Sequence, residues 1–340
     1  MRSAVTSHEV ARRAGVSQAT VSRVLSGSAR VAASTRARVE AIAVELGYQP
    51  NAAARAMRSR RTGIVGVVVG RITNPFYPHL LDVLGRMLEE RGLQLILWDA
   101  SHGAGEKAAL DALGQRLIDG LLFTTVTSPA PEVAEAIASG APIVLLNRNL
   151  EGVEADLVDS DNVGGSRAVA RYLALHERRR VAVVGGPAGT STANERESGF
   201  LRGAADLGLD LPPSRRFDGD FSHESGVAAL ERSIAAGDLP DAFFCVNDLS
   251  ALGVLDAARR HGVRVPEDLW VIGFDDIEMA AWPSYDLTTV HQPTGVMAHD
   301  AIALLERRLA DPGVAPQHHR LAAELIIRGS TGHAPWPRHL

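Results

Sequence analysis

The sequence of 340 residues has little cysteine and little lysine. Cys245 is the only cysteine, so no disulfide can form within the chain, and a cytoplasmic location is the default expectation. Lys107 is the only lysine, and it does not lie in the G-x-x-x-x-G-K sequence of a phosphate-binding loop. A Schiff-base enzyme would have to use this same residue, which lies in an ordinary amphipathic stretch. Both classes of enzyme are therefore disfavoured.

Long apolar runs are also missing. No run approaches the roughly 18 residues that a transmembrane helix needs. The first ten residues carry a single basic residue and no apolar stretch, unlike a secretory signal. We therefore expect neither a membrane span nor an export signal.

Acidic side chains are scarce in residues 1–61. That segment holds eleven arginines and three glutamates, whereas the rest of the chain has an excess of acidic residues and the whole chain carries a net charge of −5. A basic segment joined to an acidic body is typical of a nucleic-acid-binding arm. A solvated charged surface explains the count alone equally well, so the pattern of residues has to decide.

The first fifty residues have the pattern of three short helices. Val10, Ala11 and Ala14 recur at helical spacing before Gly15, which favours the end of a helix. A second helix begins after Ser17 and runs through Leu25, and a third is predicted over 34–46. A short helix, a tight turn and a second short helix make a helix-turn-helix.

The second predicted helix has one apolar face and one short polar face. Val21, Val24 and Leu25 form the apolar stripe. The other positions suit the major groove of DNA, because glutamine pairs with adenine, arginine pairs with guanine and alanine contacts the thymine methyl group. A hairpin that only fills a core would share the stripe, but it would not explain an outer face nearly free of acid. These outer residues are Ser17, Gln18, Ala19, Ser22, Arg23 and Ser26.

This region resembles the DNA-binding signature of LacI/GalR-type repressors. The resemblance lies in Ala11-x-x-Ala14-Gly15-Val16-Ser17-x-x-Thr20-Val21-Ser22-Arg23-Val24-Leu25 and continues in Leu46-Gly47-Tyr48-x-Pro50-Asn51. It implies that Gln18 and Ala19 select the base sequence. It also implies that the helix is anchored to phosphates and the groove edge by Ser17, Thr20, Ser22 and Arg23. Ser26 and Arg30 complete the predicted DNA-contacting set in this region.

The resemblance implies a hinge helix directly after Pro50. In the family this helix folds on DNA and inserts an apolar side chain into the minor groove, which would be Met57 here, where leucine is usual. Asn51, Ala54 and Arg55 are predicted to contact DNA beside it. A plain alanine-rich linker helix is the alternative.

From Thr62 onward, short β-branched runs alternate with amphipathic helices. The run 63–69 is read as a buried parallel strand, and the alternation restarts near Asn162. The predicted fold class is an N-terminal all-α helix-turn-helix domain plus an α/β two-lobed periplasmic-binding-protein-like core. The predicted divisions are a helix-turn-helix domain at 1–50, a hinge helix and linker at 51–61, and a core at 62–340, with one lobe at 62–160 and 292–328 and the other at 161–291.

Polar and aromatic side chains follow several predicted strands, where a cleft between the lobes should open. Carboxylate, amide and guanidinium groups bind hydroxyl groups, and aromatic faces cover a sugar ring. In resembling repressors the matching positions touch the effector. Asn247 and its neighbour Asp248 could instead cap the next helix, and the two phenylalanines could be core. The predicted effector-binding residues are Phe76, Asn147, Arg196, Phe221, Asn247 and Asp275.

These observations predict a sequence-specific DNA-binding transcriptional repressor that acts as a homodimer on a pseudo-palindromic operator. A small effector, a sugar in the commoner case for the resembling family, would control its operator affinity. No catalytic residue, metal site or cofactor is predicted. Leu80, Leu84 and Met87 are candidates for the dimer face, although the same stripe could be core. The alternatives are a sugar-binding protein without a regulatory role and an NAD-dependent sugar oxidoreductase, which Gly103-Ala104-Gly105 supports only weakly.

Overall fold

The computed structural model describes residues 5–25, 30–48, 61–101 and 103–336. The chain forms two compact units, Met1–Gly63 and Ile64–Leu340. No helix in the described part of the chain has both the length and the apolar character that a membrane crossing requires.

The described residues of the first unit form three helices, α1 (Ser7–Ala14), α2 (Gln18–Leu25) and α3 (Ala33–Glu45). Their facing sides bury a small apolar cluster that includes Val10, Val21 and Val39. Gly15 ends α1 with a φ of 65°, a left-handed conformation that glycine adopts without steric cost. The predicted helix-turn-helix is confirmed.

The part of the second unit that the structure describes forms two six-stranded sheets, each of which belongs to one lobe. The first sheet is made of β1 (Ile64–Val69), β2 (Gln94–Asp99), β3 (Gly120–Phe123), β4 (Ile143–Leu146), β5 (Asp156–Ser160) and β11 (His318–Leu321). Its spatial order is β11-β5-β4-β3-β1-β2, and every pair is parallel. Its helices are α4 (Phe76–Glu90), α5 (Ala104–Gly114), α6 (Pro131–Ala138) and α11 (Thr294–Ala310).

The second sheet has the same architecture with one antiparallel edge. Its strands are β6 (Val181–Val184), β7 (Arg216–Phe217), β8 (Ala242–Cys245), β9 (Trp270–Asp275), β10 (Thr288–His291) and β12 (Glu324–Ile326). The spatial order is β12-β10-β9-β8-β6-β7, and only the β12–β10 pair is antiparallel. Its helices are α7 (Asn162–Leu175), α8 (Ser191–Asp206), α9 (His223–Ala235) and α10 (Asp248–Arg260).

The chain crosses between the lobes three times, after β5, after β10 and between β11 and β12. The third crossing corrects the expected lobe limits, which placed 292–328 entirely in the first lobe. After β11 the chain turns within two residues, and β12 pairs with β10 in the register Thr289↔Ile326 and Val290↔Leu325. The pairing satisfies the outer edge of β10, so Glu324–Ile326 lies in the second lobe.

The inner strands, such as β3, β4, β6 and β8, are buried on both faces because helices cover each sheet. Leu80 and Leu84 of α4 are fully buried in the first lobe and belong to its apolar core. They are therefore not available as the dimer face that the sequence suggested, and of the three candidates only Met87 is partly exposed.

Candidate DNA-contacting helix and effector cleft

The polar face of α2 is available for contact. Ser17 precedes the helix, and its Oγ accepts a hydrogen bond from the Thr20 backbone N–H at 3.2 Å. Val21 and Val24 are buried, and this fixes which face turns outward. Ser17, Gln18, Ala19, Arg23 and Arg30 are exposed, and Thr20 and Ser22 are half-buried. The three-helix core therefore presents short polar groups, an amide and guanidinium groups on one side.

Five residues of the predicted DNA-contacting set lie outside the described residues. They are Ser26, Asn51, Ala54, Arg55 and Met57. Their predicted roles remain predictions.

The effector cleft lies at the carboxyl ends of strands from both sheets, as expected for parallel α/β sheets. The first lobe contributes side chains that follow β1 and β4, and the second contributes side chains at β9, on α8 and before α9. Five of the six predicted effector residues surround one small cavity, namely Phe76, Asn147, Arg196, Phe221 and Asp275. Four further residues complete its lining, namely Asn74, Tyr77, Arg148 and Thr192.

A buried ion pair forms the base of the cleft. The Nη1 atom of Arg196 lies 2.8 Å from Oδ1 of Asp275, and the two side chains are 3% and 5% exposed. Arg196 also donates from Nε to Oδ1 of Asn162 at 2.8 Å and stacks over the Phe274 ring at 3.8 Å. The Gln292 amide donates to the same Asp275 oxygen at 2.7 Å. These contacts fix the direction of the carboxylate.

Burial dominates the ionisation of this pair. It raises the pKa of the Asp275 carboxyl above its ordinary value, while the Arg196 guanidinium opposes the rise. Burial also lowers the pKa of Arg196, while the Asp275 charge opposes that change. Neighbouring Tyr77 has a raised pKa, again mainly because it is buried. Its hydroxyl is therefore protonated at neutral pH and available as a hydrogen-bond donor.

Asn247 does not line the cavity. Its Oδ1 accepts the Ser250 backbone N–H at 3.2 Å as the N-cap of α10, and its Nδ2 donates to the Phe221 carbonyl at 3.1 Å. Asn247 therefore caps α10, which is the alternative that the sequence left open. Its amide also holds the backbone that carries the Phe221 ring. The predicted direct contact with an effector would require these bonds to rearrange.

Asp248 has a structural role that differs from the cap predicted for it. It is fully buried at the first position of α10, where its carboxylate accepts hydrogen bonds from the Ile277 N–H and the Thr289 hydroxyl. These bonds tie α10 to the loop after β9 and to β10. Burial raises the pKa of Asp248 well above its ordinary value, and the nearby Asp275 charge adds to the rise.

Aromatic side chains cover the other sides of the cavity. The rings of Phe76 and Tyr77 meet edge to face with centroids 5.4 Å apart, and Asn74 accepts the Phe76 N–H at the start of α4. Phe221 packs against the loop at Gly186, where a Cβ atom would lie 2.7 Å from the ring. Glycine at this position therefore lets the Phe221 ring approach the backbone.

Three cleft residues have backbone conformations that are unusual for residues with side chains. The φ angles are 74° at Asn147, 64° at Phe221 and 122° at Asp275. Such strain is typical of sites where the surrounding structure holds a side chain for a function. The Oδ1 atom of Asn147 is buried and has no hydrogen-bond partner among the described residues, which leaves an acceptor for a ligand hydroxyl.

Sequence reasoning missed Arg148 and Gln292. Arg148 follows Asn147 at the end of β4, so its position after a buried strand was the available signal. Gln292 directly follows β10 and touches Asp275 only because β9 and β10 are neighbours in the sheet. That neighbourhood is a property of the fold that no local pattern reveals.

The cleft is closed. Its cavity measures about 20 Å³, whereas sites for small organic ligands span about 300–1,000 Å³. Contacts across the lobes hold this arrangement, including Arg71 to the Asp220 carbonyl at 2.6 Å and the Asn149 N–H to the Ser191 hydroxyl at 3.0 Å. A sugar can enter only when the lobes separate, which is the hinge motion of two-lobed binding proteins. Within the described residues, no group of three or more metal-ligating side chains is placed to hold a metal ion.

Two family models match this chain. The model described as bacterial regulatory proteins, lacI family, matches residues 6–51, which contain the helix-turn-helix. The model described as a periplasmic binding protein-like domain matches residues 170–331, which contain most of the second lobe.

Full-length relatives give the same picture. The ribose operon repressor of Escherichia coli (strain K12) is 33% identical over 329 residues, covering 96% of this chain and 99% of that protein. The HTH-type transcriptional regulator CelR of Thermobifida fusca is 34% identical over 330 residues, covering 94% and 96%. A solved lac repressor dimer, bound to operator and the anti-inducer ONPF, is 25% identical with a TM-score of 0.86 and covers 97% and 99%.

A helix-turn-helix joined to a two-lobed ligand-binding core defines a class of transcription regulators that bind DNA and respond to a small molecule. This chain belongs to that class. Its particular group is the LacI family of bacterial regulatory proteins, of which it is a member. The predicted family and fold class are confirmed.

Proposed function

We propose that this protein is a homodimeric repressor whose affinity for a pseudo-palindromic operator is set by a sugar bound between the two lobes. The observation that carries the proposal is the cleft itself. It combines a buried carboxylate and guanidinium pair, an unpartnered amide oxygen and aromatic faces, in a chain that also has a helix-turn-helix. This is the donor and acceptor set that adjacent hydroxyl groups on a ring require.

The DNA-contacting roles rest on α2. Gln18 and Ala19 read bases, and Ser17, Thr20, Ser22, Arg23, Ser26 and Arg30 anchor the helix. Asn51, Ala54, Arg55 and Met57 act in the hinge segment. The support is the exposed polar face of α2, the acid-poor composition of residues 1–61 and the family match over 6–51.

The effector roles follow from the geometry. Asp275 and Asn147 accept sugar hydroxyls, Arg196 donates to ring substituents, and Phe76 and Phe221 cover the apolar faces. Asn247 positions Phe221 through its carbonyl. A solved structure of a relative that is 33% identical, with a TM-score of 0.73 and coverage of 96% and 99%, is titled a CelR–cellobiose complex, which supports a sugar as the effector class.

The dimer surface lies at the edge strand β2. This strand is the last in its sheet, and Ile96 and Leu97 are 41% and 37% exposed. An edge strand with exposed large apolar side chains is a site for association. A second copy of the chain is the proposed occupant, because the operator has pseudo-twofold symmetry and the lac repressor relative is a dimer.

Three further assignments complete the proposal. The divisions are 1–50 for DNA binding, 51–61 for the hinge and 62–340 for the core. The cleft binds a ligand and does not catalyse a reaction, which the regulator relatives support, because they are named as repressors and regulators of transcription. A regulator acts where the chromosome is, so the proposed location is the cytoplasm.

Selection of bound DNA from a random pool tests the operator proposal. The enriched sequence should be a pseudo-palindrome, and its affinity should fall about 10³–10⁵-fold between 50 and 200 mM salt if roughly 6–10 phosphates are contacted. Gln18→Ala should change the preferred bases, whereas Gln115→Ala, at an exposed position directly after α5, should not. No enriched sequence, or a flat salt response, would remove the DNA-binding role.

A further inference from the structure

Arg148 is a buried cation without a carboxylate partner. It follows β4 in the first lobe and is 9% exposed. Its Nη2 donates to the Tyr77 hydroxyl at 3.2 Å, its Nη1 approaches the Thr127 hydroxyl at 3.4 Å, and its guanidinium lies 6.0 Å from the Phe221 ring centre. Within the described ranges, no carboxylate oxygen lies within ion-pair distance of it, and its Nε has no hydrogen-bond partner.

The only carboxylate among the described residues that line the cleft is already engaged. Asp275 accepts from Arg196 at 2.8 Å and from Gln292 at 2.7 Å. The Arg71–Asp220 pair at the rim neutralises itself, since its atoms lie 3.3 Å apart. The cavity lining therefore carries two guanidinium groups and one carboxylate, so Arg196 and Arg148 share the charge of Asp275 and the lining has a net positive charge. Burying an unpaired charge is costly unless a partner arrives.

Asn147 and Arg148 both line the cavity, and each has one buried atom without a hydrogen-bond partner among the described residues. The Asn147 Oδ1 atom is an acceptor that suits a hydroxyl, whereas the Arg148 Nε–H is a donor on a cation. Guanidinium binds phosphate and carboxylate groups through two parallel hydrogen bonds. A ligand that satisfies both atoms carries a hydroxyl group and an anionic group.

We propose that the effector is an anionic sugar, a phosphate ester or a sugar acid, whose negative group binds Arg148 while its hydroxyls bind Asp275 and Asn147. This inference rests on the proposed function, because it names the chemical class of the ligand in that same cleft. The anion supplies the counter-charge that the cavity lacks. A neutral sugar would leave Arg148 buried and unpaired when the lobes close.

Matched ligand pairs test the proposal on the full-length protein. Glucose, galactose and ribose are compared by isothermal titration calorimetry with their phosphate esters and with the corresponding sugar acids, and inorganic phosphate is titrated alone. In the best-binding set the anionic member should bind at least tenfold more tightly than its neutral parent. Its affinity should fall with added NaCl, while that of the neutral parent should not. Whether the ester or the acid binds more tightly identifies the anionic group.

Variants assign the effect to the residue. Arg148→Gln should bring the anionic ligand to within about threefold of its neutral parent, without weakening the parent. Arg148→Lys should keep part of the preference, because it retains the charge and loses the paired donors. Arg171→Gln removes an exposed arginine on α7, lies outside the cleft and should change neither affinity. The melting temperature of each variant shows whether it is folded.

The outcomes separate the two proposals. A neutral sugar that binds as tightly as its anionic derivative, or an Arg148→Gln variant that weakens both alike, would overturn the anionic class and leave the sugar-responsive regulator intact. Inorganic phosphate that binds as tightly as the sugar phosphate would also overturn it. Failure of every sugar, neutral and anionic, to bind would contradict both proposals.

Discussion

Arg196 and Asp275 are both more than nine-tenths buried, and each depends on the other for its charge. Arg71 and Asp220 make the contrasting case, because this pair crosses the lobes with both side chains about half exposed. When one member of an exposed pair is removed, water solvates the remaining charge. When one member of a buried pair is removed, the remaining charge has neither its partner nor water. The two pairs therefore offer a matched comparison.

Asp275→Ala should lower the free energy of unfolding by about 3–5 kcal/mol, because Arg196 is left buried and unpaired. Asp220→Ala should lower it by about 0–1 kcal/mol, since its partner is exposed. Urea unfolding of the core monitored by circular dichroism measures both. Equal effects of the two substitutions would mean that the cleft pair is more solvated than the structure shows.

The Asp248 carboxyl should make stability depend on pH. Burial raises the pKa of this carboxyl in the folded state, so protonation of Asp248 favours folding. This stabilising contribution is lost as the pH rises from the ordinary pKa of an aspartate to the raised pKa. Asp248→Asn resembles the protonated form, since the amide can donate to Thr289 and accept from Ile277. The stability of the native protein relative to this variant should therefore fall as the pH rises above about 4, the ordinary pKa of an aspartate carboxyl.

Asp268→Asn provides the control for this measurement. Hydrogen bonds from Arg264 hold the pKa of Asp268 at about 2, so its contribution is lost only as the pH falls toward that value and should be constant between pH 5 and pH 8. A native-minus-variant difference for Asp248 that does not fall as the pH rises would contradict the raised pKa of its buried carboxyl.

Individual cleft residues were predictable to different degrees. Asp275 and Asn147 each come directly after an apolar run in the sequence, so their place at a carboxyl edge was predictable. Asn247 has the same local signal, but its side chain turns to cap α10 and hold Phe221. Arg148 and Gln292 acquire their roles from neighbours that are distant in sequence. Residue type and position predict where a side chain lies, but not which partner it selects.

Among the secondary-structure elements, helices and parallel strands were predictable from the sequence because their signals are local. Periodic apolar residues marked α1 to α3, and continuous β-branched runs marked β1 and β6. The pairing of β12 was not predictable from a local signal. Glu324–Ile326 is short and only partly buried, and its partner β10 lies more than thirty residues earlier in the chain. The sheet that β12 joins depends on which strand edge is unpaired once both lobes have formed.

The β2 edge carries the dimer proposal. Ile96→Lys places a charge in the proposed apolar contact and should weaken the dimer at least tenfold, which corresponds to about 1.4 kcal/mol. Analytical ultracentrifugation over a range of concentrations gives the dissociation constant. Leu207→Lys is the control, because Leu207 has a similar exposure, 38% against 41%, and lies on the second lobe. Equal dimer affinity of the native protein and Ile96→Lys would place the interface elsewhere.

At the scale of the whole molecule, the function requires that two binding events influence each other. The cleft of about 20 Å³ must open for a sugar, so ligand binding selects among arrangements of the two lobes. A coupling of about 1–3 kcal/mol between effector and operator would be typical of allosteric proteins. The same coupling acts in both directions, because it is a property of the thermodynamic cycle and not of either site.

Titrations of operator and effector measure this reciprocity directly. The operator dissociation constant is determined by fluorescence anisotropy with and without saturating effector, and the effector dissociation constant is determined by calorimetry with and without saturating operator. Both constants should change by the same factor, about 5–150-fold. Asp275→Asn should abolish both changes while the affinity of the free protein for operator is kept. An operator affinity that does not respond to a ligand shown to bind in the cleft would contradict control of DNA binding by an effector.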